Sequence, residues 1–288
     1  STFSIDVDTA SYANARRSIE KMNSLPPSEA VRIEEFINYF NYQYGEPSGD
    51  LPFSTHTEVA VAPWNPSHRL VHVGLKAKSI SADERPPSNL VFLIDVSGSM
   101  RQANKLPLLK SAFSLLVKQL TQQDRVSIVV YASRQGLVLS STPGDQKAKI
   151  LGALNQLSAG GSTHGGAGIE LAYRQAAEHF IKGGNNRVIL ATDGDFNVGV
   201  TSAGGLVKLI QKKRESGVFL SVLGFGRGNY KDATMEQLSN HGNGVAAYID
   251  SLAEARKVLV DEAGGSLVTV AKDVKVQVEF NPAKVSSY

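Results

Sequence analysis

The chain contains 288 residues, of which 42% are hydrophobic and 20% charged, and its formal net charge at pH 7 is +3. This composition is typical of a folded globular protein, and a charge that small and dispersed argues against nucleic acid as a partner. The sequence has no cysteine, which excludes disulfides, zinc–thiolate sites and cysteine catalysis within it, and no apolar run approaches the length of a membrane-spanning helix.

The N-terminal part of the chain combines two helical patterns with two strand patterns. Apolar side chains spaced by three and four predict a helix over residues 10–22 and a second helix that Ser28 caps. Alternating residues predict strands at 55–62 and 69–77 around a Pro-Trp-Asn-Pro turn. A Pro-Pro-Ser sequence ends this extension, which we place at residues 1–88.

Strand and helix patterns alternate from residue 89 to residue 266. The strand-like runs are continuously apolar, which is typical of strands buried on both faces of a sheet. They cover residues 90–94, 126–131, 136–139, 188–191, 218–223 and 246–249, and the helical runs cover residues 105–120, 146–157, 166–181, 204–215, 233–239 and 252–263. The alternation predicts an α/β domain with a doubly wound, mostly parallel, Rossmann-like sheet, in which ligands bind at the carboxyl ends of the strands.

The last segment, residues 267–288, alternates valines with other residues and predicts the start of a C-terminal β region. Such strands need a partner against which to pack. The strand pair at residues 55–77 is the partner that the sequence offers. We therefore predict that the two flanks form one β-rich subdomain beside the α/β domain.

The sequence Asp-Val-Ser-Gly-Ser at residues 95–99 directly follows a buried strand. Asp95 places a carboxylate, and Ser97 and Ser99 place two hydroxyls, on a tight turn at the carboxyl end of the sheet. Hard oxygen donors of this kind suit a small divalent cation. Taken alone, the turn has a second explanation, in which Asp95 caps the following helix and the serines satisfy the turn.

Two further segments extend this set of oxygen donors. A glycine-rich loop at residues 159–166 carries the Thr163 hydroxyl on a backbone that a ligand can approach closely, and the buried run at 188–192 ends in Asp193. In this order, the three segments resemble the metal-ion-dependent adhesion site of the von Willebrand factor type A family. The resemblance spans about residues 89–266. It implies that the metal ligands are Asp95, Ser97, Ser99, Thr163 and Asp193.

The resemblance also implies a role for each ligand. The two serine hydroxyls bind the metal directly, and Thr163 binds it directly or through water. Asp95 and Asp193 act mainly through water, or alternate as a direct ligand. A site with few direct carboxylate ligands favours Mg²⁺ over Ca²⁺, because Ca²⁺ takes more oxygen ligands. Mn²⁺ and Ca²⁺ are the alternative ions.

A cation held by hydroxyls and water keeps an open position that favours an external carboxylate. The family resemblance therefore implies a protein-binding adhesion or scaffold module, and not an enzyme, whose protein partner presents an Asp or Glu side chain. We predict no nucleic-acid partner and no membrane contact within this sequence.

The N-terminal segments at residues 3–12 and 31–40 resemble those of a bacterial cell-envelope subfamily of type A proteins. The chain begins at Ser1 without a methionine, so we expect a targeting segment to lie outside it. These features predict a bacterial lipoprotein in the periplasm or cell envelope, with a lipid anchor beyond this sequence.

Two other functions remain open. Metal-assisted hydrolysis requires a base near the metal, for which His164 and Asp195 are the candidates. The third interpretation is a scaffold in which the metal only stabilises the loops and contacts no partner.

Overall fold

The fold is given by a computed structural model, which describes residues 2–4, 7–81, 84–132, 135–161, 166–194, 203–226, 232–261, 271 and 274–288. The chain forms two compact units. One comprises Ser1–Val7, Tyr42–Ser79 and Thr269–Tyr288, and the other comprises Asp8–Asn41 and Ile80–Val268.

The described helices and strands follow one another in an order that matches the alternation of the sequence. They are β1 (Thr2–Ser4), α1 (Ala10–Met22), α2 (Ile33–Asn38), β2 (Phe53–Ala62), β3 (Asn65–Ala77), β4 (Ser88–Asp95), α3 (Leu106–Gln119), β5 (Arg125–Tyr131), β6 (Gln135–Pro143), α4 (Lys147–Gln156), α5 (Gly166–Glu178), β7 (Asn185–Thr192), α6 (Ala203–Arg214), β8 (Val218–Phe225), α7 (Asp232–His241), β9 (Ala246–Ile249), α8 (Leu252–Arg256) and β10 (Lys275–Gln277). Short 3₁₀ turns occupy Ser28–Ala30 and Gly98–Arg101, and a π-helical turn, Lys257–Asp261, follows α8. Among the described residues, no helix has the length and apolar character that crossing a bilayer requires.

The central sheet lies in the larger unit and has the strand order β6-β5-β4-β7-β8-β9. Every neighbouring pair is parallel except β5 and β6, which are antiparallel. All residues of β4, β7 and β8 are buried, because helices cover both faces of these central strands. The prediction of an α/β fold with a doubly wound, mostly parallel sheet is therefore confirmed.

Two hydrophobic cores lie on opposite faces of this sheet, since successive side chains of a strand point in opposite directions. Phe92 of β4 contacts Phe113 of α3 on one face, with ring centroids 4.2 Å apart. Leu93 belongs to the core on the other face, together with Ile169 of α5. The two cores hold β4 between β5 and β7, so the carboxyl ends of these three strands lie side by side.

Helix α1 covers the outer edge of the sheet at β9. The Asp8 carboxylate accepts a hydrogen bond from the Ala246 N–H at 2.8 Å, and Ala10 and Ala13 pack against Tyr248. A helix that covers an edge strand protects its backbone groups from pairing with other chains. The N-terminal helices therefore fold as part of the unit that contains the sheet.

A charged and aromatic cluster joins α1 and α2 to the last helical segment of this unit. Arg16 forms ion pairs with Asp250 at 2.8 Å and Glu254 at 3.0 Å. The Tyr39 hydroxyl donates to Glu254 at 2.8 Å, and Lys257 Nζ lies 3.1 Å from the centroid of the Tyr39 ring. Burial, reinforced by Glu254, raises the pKa of Tyr39 to about 12. The hydroxyl therefore remains a hydrogen-bond donor at neutral pH.

The smaller unit contains the antiparallel hairpin of β2 and β3, with Thr55 opposite Leu75. The Tyr44 ring lies over Gly74 of β3, where an added Cβ would be 2.5 Å from the ring. The Tyr44 hydroxyl is 2.8 Å from His72 Nε2, which fixes the ring on the hairpin. Glycine is required at residue 74 because the ring occupies the space of a side chain.

Strand β10 forms a separate antiparallel pair with β1, in which Val276 lies opposite Phe3. The sequence indicates the strands at 55–77 as the partner of the C-terminal segment, and that packing stays a prediction; the three residues of β10 pair with β1. Three residues are too few to show an alternating pattern, so β1 could not be recognised from the sequence. The division into residues 1–88, 89–266 and 267–288 stays a prediction.

Replacement of Asp8 by alanine tests the contact between the N-terminal helix and the sheet edge. The change leaves the Ala246 N–H without its acceptor, so we expect the free energy of unfolding to fall by about 1–3 kcal/mol in chemical denaturation. Asp50→Ala is the matched control, because Asp50 lies in an exposed turn. Equal stabilities of the two variants would contradict the proposed contribution of this contact.

Candidate metal-binding site

Three neighbouring strands end at the same edge of the sheet. β4 ends at Asp95, β5 ends at Tyr131 opposite it, and β7 ends at Thr192, which Asp193 follows. All four side chains are buried. Asp95 Oδ2 accepts a hydrogen bond from the Thr192 hydroxyl at 3.3 Å, which joins the ends of β4 and β7. The topology of the sheet thus brings together residues from distant parts of the sequence.

The residues after Asp95 form a tight turn that presents hydroxyl groups. The Ser97 N–H donates to Asp95 Oδ1 at 2.8 Å, and the hydroxyl oxygens of Ser97 and Ser99 lie 2.9 Å apart. Ser97 is buried and Ser99 is exposed, so the hydroxyl pair extends from the sheet edge towards solvent. Neither the 3₁₀ turn nor α3 has a side-chain hydrogen bond at its N-cap. Asp95 therefore accepts the hydrogen bond of the Ser97 N–H within the turn and does not cap a helix.

The start of the glycine-rich loop lies directly beside this turn. The Gly98 N–H donates to the Gly161 carbonyl at 3.0 Å, and the Gly160 N–H donates to the Val96 carbonyl at 2.8 Å. Gly161 has a φ of 83°, a conformation that favours glycine. Thr163, the predicted ligand on this loop, lies outside the described residues.

Burial controls the ionisation of the groups at this edge. Loss of hydration, reinforced by the negative charge of Asp193, raises the pKa of Asp95 to about 6, although hydrogen bonds from Ser97 and Thr192 oppose the increase. Burial, with the charge of Asp95 added, holds the pKa of the Tyr131 hydroxyl well above its usual range. The two carboxylates therefore repel each other, and a cation near both would relieve that repulsion.

Lys105 supplies a positive charge that the sequence analysis did not identify. Its Nζ donates to Asp193 Oδ2 at 2.7 Å, and the two side chains are only 6% and 0% exposed. The lysine stem passes over Gly226, where an added Cβ would lie 2.3 Å from Lys105 Cε. One signal was available, because Lys105 is the N-cap residue of α3, where the helix dipole disfavours positive charge.

Tyr131 is the second residue at this edge that the sequence analysis did not identify. The sequence indicated the strand that this residue ends, but it did not single out the hydroxyl. The parallel register places Tyr131 opposite Asp95, and the charge of that carboxylate adds to the effect of burial in raising the pKa of the Tyr131 hydroxyl. A polar residue at the end of a buried strand is the signal that would have identified it.

Four of the five predicted ligands lie within the described residues. Asp95, Ser97 and Ser99 form one continuous set of contacts. Asp193 lies close enough to Asp95 for its charge to raise the pKa of that carboxyl group. The structure therefore brings the two strand-end carboxylates and the two serine hydroxyls to one edge of the sheet.

These residues fit a divalent cation in their chemistry. Asp193 Oδ1 is buried and has no hydrogen-bond partner among the described residues, so this oxygen is available to a ligand. Carboxylate and hydroxyl oxygens are the hard donors that Mg²⁺, Mn²⁺ and Ca²⁺ prefer. Within the described ranges, no group of three His, Cys, Asp or Glu residues could hold a metal. The candidate site instead combines carboxylates with hydroxyls.

Comparison with protein families gives three matches along the chain. The profile of the von Willebrand factor type A domain matches residues 89–262, a profile described as von Willebrand factor matches residues 1–72, and the profile of the C-terminal part of the uncharacterized protein YfbK matches residues 265–288.

Two curated bacterial proteins are similar in sequence. The uncharacterized protein YfbK of Escherichia coli strain K12 is 51% identical over 294 residues, which cover 100% of this chain and 51% of that protein. The uncharacterized protein sll0103 of Synechocystis is 30% identical over 192 residues, which cover 66% of this chain and 44% of that protein. The chain thus spans about half the length of these relatives.

A solved structure supports the fold. The von Willebrand factor type A protein from Catenulispora acidiphila superposes with a TM-score of 0.53 and 18% sequence identity, over 78% of this chain and 52% of that one. At this identity the similarity concerns the arrangement of the sheet and helices alone.

The raised pKa of Asp95 predicts a pH dependence of stability in the metal-free protein. The folded-state pKa of about 6 lies above the ordinary value of 3.8, so the folded protein binds more protons than the unfolded chain between these two values. The free energy of unfolding should therefore decrease, by about 2 kcal/mol, as the pH rises from about 4 to about 7.

The variant Asp95→Asn isolates this effect, because its side chain has nearly the same shape and stays neutral. Denaturation of both proteins in EDTA across that pH range should show the wild type losing stability relative to the variant. A difference in stability that does not change with pH would contradict the raised pKa.

Proposed function

The chain belongs to the von Willebrand factor type A family, and on that premise we propose that it is a metal-dependent protein-binding module. Domains of this family commonly act in metal-dependent protein interactions. In the proposed mechanism, a divalent cation held at the edge of the sheet binds an Asp or Glu side chain of a protein partner. The proposed ligands are Asp95, Ser97, Ser99, Thr163 and Asp193.

One observation supports this proposal above all: two hydroxyls and a buried carboxylate oxygen are present at the same strand ends. The hydroxyls of Ser97 and Ser99 are in contact, and Asp193 Oδ1 is buried without a described partner. Burial of a carboxylate oxygen without a hydrogen-bond partner is unfavourable unless a bound ligand satisfies that oxygen. A cation, or a water molecule bound to a cation, would satisfy this oxygen.

The contacts of the carboxylates favour Mg²⁺ or Mn²⁺ over Ca²⁺. Both oxygens of Asp95 already accept hydrogen bonds, from Ser97 and Thr192, and one oxygen of Asp193 accepts a bond from Lys105. Ca²⁺ takes many direct oxygen ligands, whereas Mg²⁺ retains several waters. Carboxylates that are engaged in this way are better suited to act through water, as the family resemblance implies.

We infer that the site binds a partner and does not catalyse a reaction. The described polar groups at the strand ends hold one another in place, and the hydroxyl pair faces solvent where a partner can reach it. His164 and Asp195, the residues that a hydrolase would use as a base, lie outside the described residues. We propose that the partner is a protein and not a nucleic acid.

We propose that the protein functions in the bacterial periplasm or cell envelope, with a lipid anchor outside this sequence. Support comes from the similarity of its N-terminal segments to those of an envelope subfamily, and from the 51% identity to an Escherichia coli protein that matches the whole of this chain. Separation of the native host into membrane and soluble fractions tests this localisation. Recovery of the full-length protein in the cytosolic fraction would contradict it.

The double variant Ser97→Ala, Ser99→Ala tests the metal site without changing its charge. The Ser97 N–H still bonds to Asp95, so we expect the fold to persist. In calorimetric titration the affinity for Mn²⁺ should fall by about tenfold or more, because two direct oxygen ligands are lost. Ser111→Ala on α3 is the matched control, since the Ser111 hydroxyl bonds only to the Pro107 carbonyl among the described contacts. Equal Mn²⁺ affinities in all three proteins would refute the hydroxyl ligands.

A further inference from the structure

We propose that Lys105 makes tight metal binding at this site depend on an external carboxylate. The inference rests on the proposed metal-dependent function and concerns how that function is controlled. Without a metal, the lysine ammonium compensates the charge of Asp193. With a metal, the same ammonium leaves an excess of positive charge that the carboxylate of a partner neutralises.

The position of Lys105 is fixed at both ends of the residue. Its N–H donates to the Gln102 carbonyl at 2.9 Å, and its carbonyl accepts from the Leu109 N–H at 2.8 Å. Its stem lies against Gly226, so closely that a methyl group at residue 226 would overlap it. Its Nζ ends 2.7 Å from Asp193 Oδ2. These contacts therefore fix the ammonium group at the strand ends. They would not fix a flexible side chain on the surface in this way.

The charges at this edge explain the consequence. The buried ionisable groups at the described strand ends are the carboxyls of Asp95 and Asp193, the ammonium of Lys105 and the neutral hydroxyl of Tyr131. With both carboxyls ionised, the metal-free set has one net negative charge. A divalent cation changes this to one net positive charge. Because charges interact strongly in a buried site, that excess opposes metal binding until an anion arrives.

An external carboxylate then restores neutrality. The carboxylate binds at the open position of the metal and adds one negative charge. By linkage, the carboxylate strengthens metal binding by the same factor by which the metal strengthens carboxylate binding. A site with two carboxylates and no lysine would already be neutral with the metal alone. Lys105 therefore couples metal binding to partner binding, whereas a site without the lysine would bind the metal alone.

The lysine also orients Asp193. By binding Oδ2 it leaves Oδ1 as the oxygen without a described partner, which is the oxygen that a metal or its bound water would use. A hydrogen bond to the second oxygen of a ligand carboxylate is a common way of fixing its direction. Orientation alone requires a donor, whereas the charge effect requires the ammonium, and a test must separate the two.

The variant Lys105→Met removes the charge and keeps an unbranched stem against Gly226, and Lys105→Gln keeps a neutral N–H donor. We measure Mn²⁺ affinity by calorimetry with and without saturating acetate as the carboxylate probe. In the wild type, acetate should strengthen Mn²⁺ binding by about tenfold or more. In both variants, Mn²⁺ should bind about tenfold more tightly without acetate, and the effect of acetate should fall to about twofold or less.

Lys118→Met is the matched control, because it removes an exposed lysine from the same helix. The control should behave as the wild type does. Identical acetate effects in the wild type and both Lys105 variants would overturn the inference while leaving the metal site intact. If both Lys105 variants lose Mn²⁺ binding while the wild type and the control keep it, Lys105 is an orienting residue, and the charge role is again overturned. Absence of Mn²⁺ binding in the wild type would instead refute the proposed function itself.

Discussion

Two buried carboxylates, Asp95 and Asp193, end adjacent strands of the sheet, and much of the nearby structure compensates their charge. Parallel strands necessarily end at the same edge, so the fold that buries these strands also brings the two charges together. Removing a carboxylate from water is strongly unfavourable unless it is paired or hydrogen-bonded. The Ser97 N–H, the Thr192 hydroxyl and the Lys105 ammonium provide these bonds.

This compensation connects the site to the N-terminal helix. The stem of Lys105 lies against Gly226, which has a φ of 93°. The Gly226 carbonyl accepts hydrogen bonds from Arg17 of α1, at 3.2 Å, and from the hydroxyl of Tyr248 on β9. Helix α1 thus contacts Gly226, and Gly226 in turn contacts the stem of Lys105. Its packing onto the sheet edge therefore supports the candidate site, although it lies far from Asp95 in the sequence.

The sequence predicted the features that depend on local patterns and missed those that depend on distant contacts. Apolar runs that end in polar residues indicated Asp95 and Asp193, because burial of a strand requires an unbroken apolar segment. The direction of β6 could not be predicted, since periodicity does not encode whether a strand is parallel. Lys105 was missed because its partner lies 88 residues away, and the unfavourable place of a lysine at a helix start does not indicate which residue pairs with it.

The engagement of the carboxylates also explains why the hydroxyls matter in the proposed mechanism. Three of the four oxygens of Asp95 and Asp193 accept hydrogen bonds from the protein. Each such bond draws electron density from the carboxylate oxygen towards the donor, so the carboxylate has less to offer a bound metal. Neutral hydroxyls such as Ser97 and Ser99 hold a cation without cancelling its charge. A cation bound in this way would retain a strong demand for one more anionic oxygen, and Lys105 increases that demand because it adds positive charge of its own.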